Sequence, residues 1–534
     1  MADSVSLAVF LHSTAPARAL NPPRRMNRRP PSSDTLEGMT ATTPTPAVST
    51  TTAPSPAPGT PPSPGPPAQV APEYLSPADR SARGKDARKR VPLESHADPG
   101  TGSGRLDPVT LLEGQAGSRV PELVPVRYGR MLVSPFTFYR GAALVMAADL
   151  ARTPASGFDV QACGDAHLSN FGVYASPERR MVFDVNDFDE TYPGPWEWDV
   201  KRLVASLAVA GRDNGFSAKK RRMVCVDATE AYRTAMREFA GQPNLAVWYA
   251  SLDVDQFMTQ YSDQISAKQL ARAQENVAKA RTKDNLQAFS KLTTMVDGQR
   301  RIISDPPVLV PIEELVPGEP ADNLYAALRV VIAGYRDTLQ PDRRVLLDQF
   351  RMVQVARKVV GVGSVGTRAW VILMLGRDDR DPLFLQAKEA QPSVLEPYLN
   401  GPTYGNQGYR VVSGQHLMQA SSDIFLGTGT VVGIDAQNRD FYVRQLRDGK
   451  GSADVERMVP SGMRAYAQMC GWTLARAHAR SGDRIGIAAY LGSSDRFAQA
   501  VADFAESYAD QNEADFHALE EAERAGRIKT MRGI

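Results

Sequence analysis

The chain has 534 residues, 42% of them apolar and 23% charged, with a formal net charge of +2 at neutral pH. That balance excludes the broad positive field of a nucleic-acid binder, and no apolar run is long enough to span a membrane, so a soluble cytoplasmic enzyme is expected. Three cysteines and six histidines fit neither a disulfide framework nor a zinc spacing, which argues for a reducing compartment and against a histidine-built metal centre.

Residues 1–105 read as a disordered tail. The run TPTPAVSTTTAPSPAPGTPPSPGPPAQVAP lacks large apolar side chains and cannot offset the entropy of ordering itself. Much of the basic excess sits here, in Arg24-Arg25 and Arg88-Lys89-Arg90. The apolar patch Val5 to Leu11 has no positive charge before it and no clear cleavage site after it, so a secretory signal is not expected. Beyond the tail, VRYGRMLVSPFTFYRGAALVMAADL sets Arg127, Arg130 and Arg140 around an aromatic turn. Guanidinium groups suit bidentate binding of phosphate, and Arg140, beside Gly141 at an expected helix start, is the best placed. Salt bridging to acidic surface is the alternative reading of all three.

The next segment, CGDAHLSNFGVYASPERRMVFDVNDFD, carries the most chemistry. Asp165 on a short loop can orient or deprotonate an attacking hydroxyl, Asn170 offers a neutral amide oxygen to Mg²⁺, and an Asp beyond the next strand offers a charged one. Gly164 permits the tight turn, and Val182-Phe183 supplies a buried strand that delivers Asp184, Asp187 and Asp189. Solvated loop acids or caps would be the bland reading. Lys201 and Arg202 are expected on a solvated helix face or paired with these acids. Helices are expected from Lys219 to about Ala280, as an insertion or an outer layer, followed by a hairpin turning at Asp297-Gly298 that would line the acceptor side of a cleft.

Far downstream, Gly361, Gly363 and Gly366 stand in G-x-G-x-x-G spacing. A dinucleotide fold needs a helix after such glycines, whereas Trp370-Val371-Ile372-Leu373 reads as a returning strand, so a strand-loop-strand cover over phosphates is expected. The strand Leu383 to Lys388 ends its apolar alternation with a lysine, the candidate phosphate-binding cation. Glu396, on an expected helix, is the preferred acidic partner of Lys388; Glu389 would point to the opposite face, and Gln415 is the fallback. The strand Phe441 to Leu446 and the helix MRAYAQMCGWTLARAHARSGD follow, with Tyr466, Met469, Leu474 and Ala477 as a buried stripe and His478 as a packed or capping residue.

These segments carry two resemblances. Gly164-Asp165 through Asn170 resembles the H-G-D-x-x-x-x-N catalytic loop of kinase-like enzymes, with Cys163 in place of His, and Asp187-Phe188-Asp189 resembles their metal-binding D-F-D or D-F-G element, which selects Asp187. PVRYGRMLVSPFTFYRG, CGDAHLSNFG, FDVNDFDETYPGPWEWDVKRL, VVGVGSVGTR, LFLQAKEAQPSVLE, DFYVRQLRDGKGS and GWTLARAHARSGD together resemble the bacterial domain of unknown function 2252 family from about Pro121 to about Ala525. That family is distantly similar to the superfamily of aminoglycoside and choline phosphotransferases. The resemblance implies an α/β (α+β), two-lobed kinase-like fold, circularly permuted because the glycines and lysine follow the catalytic loop. Residues 106–345 would form a mainly helical large lobe, 346–450 a small antiparallel lobe, and 451–530 the helices completing the large lobe. Asp199 would brace the catalytic loop. The implied partners are ATP, Mg²⁺ and an unnamed hydroxyl acceptor, with Asp165 catalytic, Asn170 and Asp187 on metal, and Lys388, Glu396, Arg140 and the three glycines around the nucleotide. AMP transfer, nucleotide binding without turnover, and metal-dependent phosphate hydrolysis are the alternatives; nothing specifies an oligomeric state.

Overall fold

A computed structural model describes residues 74–534, apart from 261–266, 283, 318–319, 434–436 and 447–448. The part of the expected tail between 1 and 73 lies outside the described residues. The rest of it departs from expectation: Pro77–Arg90 is an α-helix, started by a Ser76–Asp79 capping box, and Leu93–Ala97 is a 3-10 turn. Their few apolar groups join the main hydrophobic core: Ala87 and Leu93 are 1% and 3% exposed. His96 Nε2 lies 2.6 Å from the Tyr490 hydroxyl. Tertiary burial, not composition, decides the state of this polar segment.

The fold is mixed α/β, with helices and several antiparallel sheets. Long helices Trp196–Asp213, Ala218–Ala240, Pro460–Ser481 and Arg496–Arg524 build one helical mass. Its core holds Trp196, Leu203, Tyr232, Leu474 and Phe504, each at most 1% exposed. Lys201 and Arg202, expected on a solvated face or paired with the acids, are 0% and 3% exposed, so neither is solvated. The Lys201 ammonium lies 4.8 Å from the centre of the Phe504 ring, and Arg202 turns to Asp165.

A six-stranded antiparallel sheet forms the second body. Its spatial order is Gly427–Val432, Asn438–Gln445, Pro382–Ala390, Ala369–Leu375, Arg351–Lys358 and Leu309–Pro311. The last strand comes from before residue 345, so the sheet recruits chain from the segment expected to be purely large lobe. Because side chains alternate along a strand, Leu385 and Ala387 join Phe441 and Val443 in one apolar layer with Tyr335 of the helix Ala321–Asp337. On the other face Val371, Leu373 and Phe384 pack against Phe289, Leu292 and Ile302. The hairpin at Asp297-Gly298 forms as expected, with both residues at positive φ. It packs with this second layer instead of lining a cleft.

Two predictions test these contacts. Leu93→Ala should cost about 2–5 kcal/mol, read as a lower urea midpoint at unchanged slope; an unchanged midpoint would mean that residues 77–97 are not part of the cooperative unit. Burial pushes the Glu197 carboxyl up to about 7, and its Oε2 has no hydrogen-bond partner. A raised folded value means that the fold takes up a proton. The stabilisation is complete below the ordinary glutamate range and is lost as pH rises through 7. Glu197→Gln should therefore flatten the fall in melting temperature between pH 5 and pH 7.5.

Candidate functional site

Two short loops are pinned side by side by pairs of strands. Residues 163–170 run from strand Asp159–Ala162 to strand Phe171–Ala175, and residues 186–191 run from strand Met181–Val185 to strand Tyr192–Pro195. The first strand pairs with the fourth and the second with the third, so both loops begin and end beside each other. Gly164 has φ +80°, and a side chain there would meet the Glu190 carbonyl of the neighbouring loop. Only glycine allows that approach.

Asp199 fixes the first loop from below. Its Oδ2 accepts the Cys163 amide at 2.6 Å and its Oδ1 the Gly164 amide at 2.9 Å. His478 approaches Oδ2 at 3.1 Å while its other ring nitrogen meets the Tyr232 hydroxyl at 2.9 Å. His478 is thus a packed positioning histidine. Asp165 Oδ1 accepts two hydrogen bonds from the Arg202 fork, from Nε at 2.9 Å and Nη2 at 2.7 Å. Its side chain is 19% exposed. Burial raises its pKa, and the Arg202 charge opposes that rise. Asn170 ends a 3-10 turn and donates from Nδ2 to the Asp165 carbonyl at 2.7 Å, which leaves its oxygen for another partner.

The glycine segment meets these loops in one cleft of about 120 Å³, lined by Arg140, Asp165, Asn170, Asp187, Gly361 and Gly363 among others. Gly361 has φ +64°, and a side chain at Gly363 would stand 3.1 Å from the Arg140 carbonyl. Arginines hold the segment by its carbonyls: Arg130 donates to that of Gly361 and Arg119 to those of Gly363 and Val365. Gly366 is not in the cleft lining; its carbonyl accepts the Val120 amide at 2.7 Å. Arg140 sits in the last turn of a helix, Pro135–Gly141, not at a helix start, because Ser134 and Pro135 begin that helix earlier. Its Nε is buried without a hydrogen-bond partner. Arg127 donates from Nη2 to Gln115 and to the Gly141 carbonyl, while its Nε and Nη1, like the Arg140 Nε, are buried without a hydrogen-bond partner.

Lys388 reaches the acids directly, 2.5 Å from Asp189 Oδ2 and 3.7 Å from Asp187 Oδ2. Tyr442 donates to Asp189 Oδ1 at 2.6 Å and Ser364 donates to Oδ2 at 3.2 Å. Burial pushes the Asp189 carboxyl up, but the Lys388 charge and the hydrogen bonds from Lys388 and Tyr442 outweigh it and hold the group low. Asp187 moves the other way, raised by burial and by the charge of Asp189. The expected partner Glu396 is elsewhere: it lies in a 3-10 turn, accepts the Ser393 amide at 3.1 Å and faces Arg410 at 3.7 Å. Gln415 donates to Gln419, and Glu389 turns away to Arg368 at 3.2 Å. Asp184, buried inside its strand, pairs with Arg476 at 2.5 Å and stays out of the cleft.

The donor set suits a hard cation bound together with phosphate. Among the described residues no group of three or more His, Cys, Asp or Glu is arranged for a metal. An ion held by Asn170 and Asp187 would thus take its remaining oxygens from ligand and water, the habit of Mg²⁺. On the Lys388 side of the sheet, Phe289, Leu292 and Ile302 cover Val371, Leu373 and Phe384.

Arg119, Asp189, Ser364 and Tyr442 are the site residues that sequence reasoning did not select. Asp189 alone carried a local signal, as the second acid of the D-F-D element.

Asp199→Ala should remove the slow hydrogen exchange of the Cys163 and Gly164 amides and cost at least about 1.5–3 kcal/mol, the range for one hydrogen bond to a charged group. Unchanged exchange would discharge Asp199 from the bracing role.

A family model described as an uncharacterized protein conserved in bacteria (DUF2252) matches residues 119–522. No curated protein and no solved structure matches the chain.

Proposed function

We propose, from the premise that this chain belongs to the bacterial DUF2252 family, that it is a kinase-like phosphotransferase using ATP and Mg²⁺ on a hydroxyl of a small molecule or protein. The observation that carries this reading is the meeting of Asp165, Asn170, Asp187 and the Gly361–Gly363 turn in one cleft, with Lys388 3.7 Å from Asp187. The small sheet adds support. Its lysine strand is followed by the helix Gln407–Met418 and then by two further strands, an order expected of a kinase-like small lobe in which the lysine strand leads into a helix.

In this reading Asp165 orients the acceptor hydroxyl and takes its proton, while the Arg202 fork keeps the carboxylate turned to the cleft. Asn170 and Asp187 would hold Mg²⁺. Arg140 is offered to an anionic oxygen of substrate, because its buried Nε has no hydrogen-bond partner. Lys388 would exchange part of its contact with the acids for phosphate oxygens. Magnesium-bound ATP would supply the electrophilic terminal phosphorus and its leaving group.

A second reading, a nucleotide-binding regulator without turnover, is favoured by the absence of Glu396 from Lys388, since Glu396 faces Arg410 at 3.7 Å and Lys388 lies on Asp189 and Asp187. Incubation with α- and γ-labelled ATP, Mg²⁺ and an acceptor panel separates the readings. Transfer of the γ label supports phosphotransfer, transfer of the α label supports AMP transfer, and binding with neither label moved supports the regulator. Asp187→Ala should abolish metal-dependent nucleotide binding. Lys388→Ala should lower transfer by roughly 10²–10³-fold, the scale for removing one charge-stabilising group; activity that survives it would point to a phosphohydrolase.

A further inference from the structure

Asn186, the neighbour of Asp187, lines a second, smaller cavity that shares no lining residue with the cleft described above. It measures about 40 Å³. Its walls come from the strand Phe171–Ala175 through Tyr174, the helix Gln407–Met418 through Gln415 and the strand Asn438–Gln445 through Arg444, with Lys450 added from the chain beyond that strand. The volume takes about three water-sized spheres, the space of one tetrahedral phosphate group.

The cations of this cavity have no anion. Arg444 is 8% exposed; it donates from Nη1 to the Asn186 carbonyl at 3.0 Å, and its Nε is buried without a hydrogen-bond partner. Lys450 is partly buried and makes neither a hydrogen bond nor an ion pair among the described residues. Burial and the neighbouring Arg444 charge push its ammonium down to about 7. The acid in the lining is Asp423, and backbone engages both its oxygens: Oδ1 accepts the Phe425 amide and Oδ2 the Gln445 amide, each at 2.8 Å. Two further groups want donors, since Asn186 Oδ1 and Gln415 Oε1 are buried without a partner.

Water alone would leave a guanidinium and an ammonium withdrawn from solvent with no counter-charge. A fully ionised anion would answer the cations but offer nothing to the two amide oxygens, which can only accept. A protonated phosphate answers both, because it carries charged oxygens and a hydroxyl on one small centre.

We propose that this cavity binds a protonated phosphate group, free or at the end of a phosphomonoester, with Arg444 and Lys450 on its charged oxygens and the Asn186 and Gln415 amide oxygens at its hydroxyl side. The site stands whether or not the neighbouring cleft transfers phosphate.

The test uses the full chain in phosphate-free buffer without nucleotide. Titration calorimetry with inorganic phosphate near neutral pH should show saturable binding, and sulfate, of the same shape but with no proton to donate, should bind roughly tenfold more weakly or worse. Lys450→Gln should weaken phosphate binding by about tenfold or more. Because that change removes an unpaired charge, the variant should melt no lower than the unaltered chain when phosphate is absent, which separates lost binding from lost folding. Arg140→Gln, in the main cleft, should leave this binding in place. Methyl phosphate distinguishes the sources: Lys450-dependent binding of it identifies the end of a phosphomonoester, and binding of inorganic phosphate alone identifies the free ion. Absence of saturable phosphate binding, equal affinity for sulfate, a Lys450→Gln chain already less stable without phosphate, or binding lost in Arg140→Gln but kept in Lys450→Gln would each overturn the proposal.

Discussion

The contact of Lys388 with Asp189 joins two parts of the chain that are 199 positions apart. Each partner alone would be a charge taken largely out of water, and together they neutralise each other while Tyr442 donates to the other oxygen, Oδ1, and Ser364 adds a bond to Oδ2. The sheet and the acidic loops are oriented by this junction. Around it, arginines do the work of holding backbone: Arg119 and Arg130 take the glycine-segment carbonyls, and Arg410 takes those of Asp189, Thr191 and Gln391. The cleft is therefore stiffened from outside.

What could be read from the residues was local. Asp165, Asn170 and Asp187 lie within one stretch whose glycine and strand signals position them, and Lys388 ends a clear apolar alternation. These residues do converge. What could not be read depended on distant chain. Glu396 is close to Lys388 in sequence, yet the strand leaves the sheet at Ala390 and the following turn hands Glu396 to Arg410. Gly366 shares its spacing with Gly361 and Gly363, but Val120 claims its carbonyl. The helix Pro77–Arg90 carried a legible cap in Ser76, Pro77 and Asp79, but its polar composition hid a narrow buried edge that needs Tyr490 and its neighbours to be seen.

The six-stranded sheet serves two chemistries through the simple alternation of its side chains. Ala387 and Phe441 face oil, while Lys388 and Tyr442, one residue on, face acid. A one-residue slip in either strand would exchange the two environments. This explains why strands that carry polar function are paired along their length by continuous antiparallel ladders.

The helical body is assembled from both ends of the described chain, with the sheet threaded between, since Trp196–Asp213 packs on Arg496–Arg524. During synthesis the acidic loops would leave the ribosome long before Lys388, and the sheet would emerge before the last helices of the body that supports it. Translation at ordinary speeds would leave a nascent chain with uncompensated acids and a half-built apolar interior for many seconds.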